Sequence, residues 1–356
     1  MATSFKVLPK MSIPSSDAAR VWVRCLAALV FSLYSPELCA QRLPPSPSKE
    51  APSSRHSRIY IEETMDGFDE TSYLAALKQA LTDFEAQRGL PLKPGPKGKI
   101  GLKTYTYSGP GLCTPLALLK SLIHLLEQRG FARKDMLIVD FQESQLRKCG
   151  ILPPLSQGGS SFEGVSVYAL DKGTYWDEGW FYDSNLPALE YFGSYYMPNL
   201  SPQKAWEQER KSYLNPLLLC DVDFWINLPM VTSNAAIGVS GALANATLLN
   251  MSNHKRFLSS PNICPMVVAE LAAIPELQAT CIFSLLSLEL YQYVGDYQFN
   301  AYYTESEPLL ILSDAPAALD YTLLKKINKA RLRHSFAPLG DPNGIFWSYL
   351  KQMQVP

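Results

Sequence analysis

Lys103, His254 and Asp320 are the residues of this chain best suited by type and setting to acid/base chemistry. Lys103 ends the alternating run KIGLK, and Asp140 ends the apolar run MLIVD. A lysine or aspartate at the end of a buried strand can shift toward a neutral pKa and exchange protons there. His254, in the run NHKRF, adds an imidazole whose ordinary pKa is close to neutrality. Asp320 sits in SDAPAALD, six residues after Asp314. Asn227, Asn234, Asn245 and Arg256, with Asp140, are the candidate ligand-binding groups. Each also has a plainer reading: a surface strand lysine for Lys103, a loop position for His254, a turn cap or local ion pair for Asp320. No CxxC pair or other metal-ligand spacing occurs, so the sequence supports no metal site and names no cofactor.

The elements that must position these groups follow from hydrophobic spacing. Residues 59–62 form a short strand. Leu74, Leu77, Leu81 and Phe84 recur at helical spacing, and Gly89 stops that helix. The strand at 99–105 is followed by the turn Ser108–Gly111. Thr114 and Pro115 fit an N-cap and first-turn proline for a helix over 115–128. The strand at 136–140 then completes a parallel β-α-β unit. Further core strands fall at 223–228, 280–290 and 308–314, with helices at 265–273 and 316–332. The expected fold is α/β: a mostly parallel central sheet with helices on both faces. Sites in such sheets lie at the carboxyl ends of strands, where Lys103, Asp140 and the stretch Pro229–Asn234 fall.

Residues 150–215 change character. Gly, Ser, Tyr, Trp and Pro dominate, as in GTYWDEGWFYDS. They read as a loop-rich aromatic insertion on a single domain over 58–335, followed by a tail over 336–356 docked on it. Hydrophobic residues make up 47% of the 356-residue chain and charged residues 18%, which supports a substantial core. The net charge is −1 with no basic patch, so nucleic acid is excluded as a partner.

The N-terminus reads as a targeting signal. Lys6, Lys10, Arg20 and Arg24 precede the apolar run CLAALVFSLY, and Pro36 follows it. This predicts a secretory signal peptide over 1–40 with cleavage near Ala40, and a Pro/Ser-rich linker over 41–57. An uncleaved anchor is the alternative. The chain is then exported, periplasmic or extracellular, and not integral to the membrane once cleaved. Five of the seven cysteines lie beyond the leader. Cys220 and Cys281 sit in apolar runs and read as buried hydrophobes rather than disulfide partners.

The run INLPMVTSNAAIGVSGALANATLLN, residues 226–250, resembles the widespread bacterial domain of unknown function 362. Members carry I-N-x-P-x-x-K-x-H-x-x-x-G-V-T-x-x-L-K-N. Asn227, Pro229, Gly238, Val239, Ser240, Leu243 and Asn245 occupy matching positions. The strand ending at Lys103, the helix before LIVD, the run Asn253–Phe257 followed by Asn262–Pro265, and SDAPAALD at 313–320 extend the resemblance across about residues 59–335. It implies the exported subgroup without a ferredoxin module. The chain departs where the family carries charge. Met230, Val231, Thr232, Ser233 and Asn234 stand where the family has its Lys and His residues. Ala244, Leu258 and Tyr105 replace a further Lys, His and Asn. The resemblance therefore implies a degenerate, non-catalytic member that binds a small molecule or an envelope protein. Two alternatives remain from the residues themselves. One is an active acid/base or redox enzyme using Lys103, His254, Asp314 and Asp320. The other is an aromatic binding surface for glycan or protein, built from Tyr175, Trp176, Trp180, Tyr182, Tyr195 and Tyr196.

Overall fold

In the central strands alternate residues serve two different cores. The computed structural model describes residues 58–172, 175–177, 179–184, 210–258, 260–340 and 344–355. The leader, the linker and the aromatics Tyr195 and Tyr196 lie outside them. An eight-stranded sheet runs in the order β1-β14-β11-β8-β2-β3-β5-β4. Its strands are β1 (Tyr60–Thr64), β2 (Ile100–Lys103), β3 (Met136–Asp140), β4 (Ser161–Phe162), β5 (Val165–Ala169), β8 (Phe224–Asn227), β11 (Cys281–Ser287) and β14 (Leu309–Ser313). The pairings β11/β8, β8/β2, β2/β3 and β3/β5 are parallel. The outer pairings, β1/β14, β14/β11 and β5/β4, are antiparallel. The fold is α/β with a mostly parallel central sheet.

One face is packed by α1 (Glu70–Arg88) and α2 (Leu116–Gln128). Ile100, Leu102, Met136, Ile138, Ile226, Phe283, Leu285, Leu310 and Leu312 point into this core. Asp69 caps α1 by accepting from the Ser72 N–H at 2.8 Å, and Gly89 ends it with a positive φ of 72°. The Thr114 hydroxyl does not cap α2. It accepts from the Tyr105 N–H and donates to the Leu228 carbonyl, so it joins the loops after β2 and β8.

The opposite face receives Leu286 and Ile311, the alternate residues of β11 and β14. Here a second sheet, ordered β10-β9-β12-β13, packs with the helix Pro316–Arg333. Its strands are β9 (Val231–Asn234), β10 (Gly238–Ser240), β12 (Tyr291–Gln292) and β13 (Thr304–Glu305). The remaining pair, β6 (Phe181–Asp183) with β7 (Lys211–Tyr213), is antiparallel. The helices after α2 are α3 (Glu143–Lys148), α4 (Pro216–Leu219), α5 (Ala242–Ala246), α6 (Lys255–Leu258), α7 (Cys264–Ala272), α8 (Pro275–Thr280), α9 (Pro316–Arg333) and α10 (Ile345–Gln352). The tail docks through α10, whose Trp347 meets Tyr321 of α9 edge-on at 5.2 Å.

Two further expectations change. Part of the presumed insertion belongs to the sheet, because residues 161–169 supply β4 and β5 at its edge. Val165 and Val167 alternate inward there, a two-residue period obscured by the Gly- and Ser-rich flanks. Cys220 is buried but disulfide-bonded, whereas Cys281 is a free thiol. An apolar neighbourhood therefore did not distinguish a packed thiol from a bonded one. No described helix is long and apolar enough to cross a membrane.

Candidate functional site

At the carboxyl end of the sheet the second face turns polar. Register pairs Ser313 with Ser284, Ser284 with Asn227, and Asn227 with Lys103. Residues opposed in register share a face. Four strands that look apolar one by one thus place a polar row across the sheet. All four of these side chains are buried.

Lys103 is the centre of this row and is fully buried. Its ammonium donates to the Thr104 carbonyl at 2.7 Å, Asp140 Oδ1 at 2.8 Å and Asn245 Oδ1 at 3.3 Å. An ammonium has three protons, and here each has an acceptor. Burial pushes the Lys103 pKa down, while Asp140 opposes that by favouring the charged form. Asp140 Oδ1 also accepts the Phe141 N–H at 2.8 Å, and Oδ2 accepts the Thr106 hydroxyl at 2.7 Å.

The row continues into α5. Asn245 donates to Asn227 Oδ1 at 2.8 Å, and Asn227 donates to the Ala242 carbonyl and Ser284 Oγ. Asp320 reaches from α9 and accepts the Ala242 and Leu243 N–H groups at 2.7 and 2.9 Å. These are otherwise orphan donors of the first turn. Gly241 permits the approach, since a Cβ there would lie 2.4 Å from Asp320 Oδ1. Burial raises the Asp320 pKa to about 7, against the two N–H bonds that lower it.

His254 stands beside this network. Its Nδ1 is 3.0 Å from the Met251 carbonyl. A carbonyl only accepts, so Nδ1 carries the proton and Nε2 the lone pair. Nε2 is buried without a hydrogen-bond partner among the described residues. The ring meets Phe141 edge-on at 4.6 Å and Tyr107 at 5.3 Å. Burial lowers its pKa to about 4, with Lys255 and Lys103 adding to the effect.

The other candidates serve locally. Asn234 accepts the Ala236 and Ile237 N–H groups and shapes the β9–β10 turn. Arg256 donates to the Arg210 carbonyl and Ser212 Oγ, so it holds the β7 region. Asp314 accepts the Ile59 N–H at the start of β1. Lys103, Asp140, Asn227, Asn245 and Asp320 are thus brought into one hydrogen-bonded chain. His254 adjoins it, and Asn234, Arg256 and Asp314 are outside it. Thr106, Ser284 and Ser313 were missed by sequence reasoning. The signal for the serines was a lone polar residue within or ending an apolar strand.

A cavity of about 760 Å³ opens beyond the strand ends. Tyr107, Gln142, Ser233, Lys255, Asp296 and Arg331 are among its lining residues. Tyr107 also meets Tyr297 edge-on at 5.1 Å, so its ring stands between the cavity and His254. None of Lys103, Asp140 and Asp320 lines the cavity. The aromatics Tyr175, Trp176, Trp180 and Tyr182 are only half-exposed. Tyr175 packs on Tyr168 and Tyr182 on Phe257. Tyr175 and Tyr182 are thus packed in part against the body. The described residues hold no cluster of three or more metal-ligating side chains.

No protein-family model matches this chain, and no curated protein does. Among solved structures, a protein from Thermotoga maritima is similar over 77% of this chain and 61% of its own length. Identity is 14% and the TM-score 0.34. The chain therefore spans about three-fifths of that protein. The fold assignment rests on the strand pairings alone.

Two outcomes follow from this geometry. Lys103→Met should cost roughly 3–5 kcal/mol, because it leaves the Asp140 charge buried without its cation. Adding Asp140→Asn should recover part of that loss, since a neutral amide still accepts the Phe141 N–H; urea unfolding of both variants measures the coupling. The second outcome concerns pH. Unfolded His254 binds a proton near 6.5, and folded His254 refuses it until about 4. Stability from this group is therefore complete above 6.5 and falls as pH drops toward 4, by about 3 kcal/mol. Asp320 acts oppositely: its folded carboxyl keeps a proton up to about 7 while the unfolded one loses it near 3.8, so its contribution falls as pH rises between them. Subtracting the pH profile of His254→Phe from that of the wild type isolates the histidine, and an unchanged slope would refute its burial as a neutral ring.

Proposed function

We propose that this chain is an exported, non-catalytic, small-molecule-binding relative of the domain of unknown function 362 proteins. The sequence motifs at 226–250 and their flanking matches support the kinship. The basic n-region and apolar run before Ala40 support export. The observation that carries the non-catalytic reading is the closure of the Lys103 site. A catalytic amine must reach a reacting atom within hydrogen-bond distance. The Lys103 ammonium has no exposed surface and each of its protons is bonded inward. Asp320 is likewise committed to two backbone N–H groups. What stays open to solvent is the cavity beside Tyr107 and Gln142, and this is the binding site of the proposed reading. Such clefts at the carboxyl ends of strands are the usual ligand positions in open α/β sheets.

Acylation tests the closed site. In the folded full chain, acetic anhydride should modify the exposed Lys78 and Lys325 and spare Lys103 until the protein is unfolded. Peptide mass spectrometry reads the sites, and modification of Lys103 at the pace of the surface lysines would sink the reading. For the cavity, a compound that raises the melting midpoint of the full chain should lose its effect in Gln142→Ala and keep it in Lys325→Ala. Equal shifts in both variants would place binding elsewhere.

A further inference from the structure

Among the described residues that line the cavity, Lys255 and Arg331 are basic and Asp296 is acidic. They come from separate elements. Lys255 opens α6, Arg331 lies in the last turn of α9, and Asp296 is in the loop between β12 and β13. Arg331 is held in place without being neutralised. Its Nε donates to the Ala337 carbonyl at 2.7 Å and its Nη1 to the Tyr293 carbonyl at 2.8 Å. The Phe336 ring centroid lies 5.7 Å from its Cζ. A guanidinium carries five N–H donors. Among the described residues neither donor on Nη2 has an acceptor, and Arg331 makes no ion pair. Other bases of α9 do pair, Lys326 with Glu307 and Arg333 with Glu305.

Asp296 does not fill that role. Its Oδ1 accepts from the Ser233 hydroxyl at 3.4 Å, and its N–H donates to Ser233 Oγ at 3.2 Å. Burial disfavours the Arg331 charge, and Asp296 offsets this only in part. Lys255 adds a second positive field, which also disfavours a proton on the adjacent His254. Two bases against one carboxylate leave one positive charge at the cavity wall. The same wall offers aromatic surface, because Tyr107 and Tyr297 stand edge-on at 5.1 Å. Val294 and Leu339 add apolar surface. At about 760 Å³ the cavity has the size of a small-molecule cleft and exceeds what a bare inorganic anion fills.

We infer that this cavity takes a small organic oxyanion, a carboxylate or phosphate on an aromatic or apolar body, with Arg331 as its main ion-pair donor. The inference rests on the reading of the cavity as the binding site. A guanidinium already fixed by two carbonyls loses little further side-chain freedom when Nη2 meets an oxyanion. The bond so formed is charge-assisted, roughly twice as strong as one between neutral groups. Lys255 contributes as a point charge, and the tyrosines and Leu339 cover the body of the ligand.

Matched probes on the full chain test this. Benzoate and phenyl phosphate carry an oxyanion on an aromatic body. Benzamide removes the charge, benzylamine reverses it, and inorganic phosphate removes the body. The melting midpoint should rise with benzoate or phenyl phosphate and respond less, or not at all, to the other three. The shift should shrink as sodium chloride is added. Arg331→Gln should weaken binding of the effective oxyanion roughly tenfold or more, the loss expected for a hydrogen bond to a charged group. Lys325→Ala should not change it. The wild-type chain locates the site should Arg331→Gln fail to fold: the effective oxyanion should slow acylation of Lys255 by N-hydroxysuccinimidyl acetate and leave Lys325 unaffected, as read by peptide mass spectrometry. Binding of benzamide or benzylamine as tight as that of the oxyanions, and lost in Gln142→Ala, would overturn the anion class and leave the cavity as the binding site. Equal action of inorganic phosphate would overturn the organic body. No shift from either oxyanion would overturn the inference alone. An oxyanion shift unchanged in Arg331→Gln, with no protection of Lys255, would overturn both the inference and the reading beneath it.

Discussion

A buried ammonium is the most demanding feature of this molecule. Removing a charged lysine from water costs several kcal/mol even after the surroundings relax, and burial of the facing carboxylate adds to that cost. The structure meets it with three acceptors on Lys103 and two further donors on Asp140, from Phe141 and Thr106. Those partners come from β2, β3, α5 and the loop after β2. Each of those segments is therefore held at hydrogen-bond tolerance to the others. A small shift of α5 would leave a charge unpaired, so the network constrains where α5 can sit.

The same constraint spreads to the second face of the sheet. α5 is five residues long and made of Ala, Leu and Asn, too short to be stable by propensity alone. It is held at its start by Asp320 from α9 and along its length by Asn245 and the Ala242 carbonyl, which engage the strand ends. Gly241 provides the clearance for the Asp320 carboxylate. α9 in turn packs Leu319, Leu323, Leu324 and Ile327 into the second core with β9 and β10. Polar bonding and apolar packing thus fix the same elements from opposite sides. The cavity lies outside this locked region, behind the ring of Tyr107, where side chains remain in contact with solvent.

Much of the scaffold was legible because hydrophobic periodicity is a local property. Leu74 through Phe84 and Leu319 through Ile327 mark helices by their spacing alone, and Lys103 and Asp140 mark the ends of their strands. The edge strand at 165–169 was obscured because its two inward valines lie among Gly and Ser, and composition outweighed period. Thr114 misled for a related reason: its position suits an N-cap, but two better partners come from residues distant in sequence. The site was legible in membership and not in role. Lys103, Asp140, Asn227, Asn245 and Asp320 do converge. Whether they face a substrate or one another depends on contacts 18 to 142 residues apart along the chain.

By itself the sequence determined the α/β class, the placement of Lys103 and Asp140 at strand ends, and the presence of small residues around 238–246. These follow from periodicity, turn chemistry and side-chain size, all of which act over a few residues. Tertiary structure decided that Ser313, Ser284, Asn227 and Lys103 form one row, because register between strands sets which residues meet. It decided that the row is sealed by α5 and not open to solvent. It also decided that the cavity beyond the strand ends is lined by Tyr107 and Gln142 rather than by the buried lysine. A charged group is reactive or structural according to its access and its partners, and both are properties of the assembled fold.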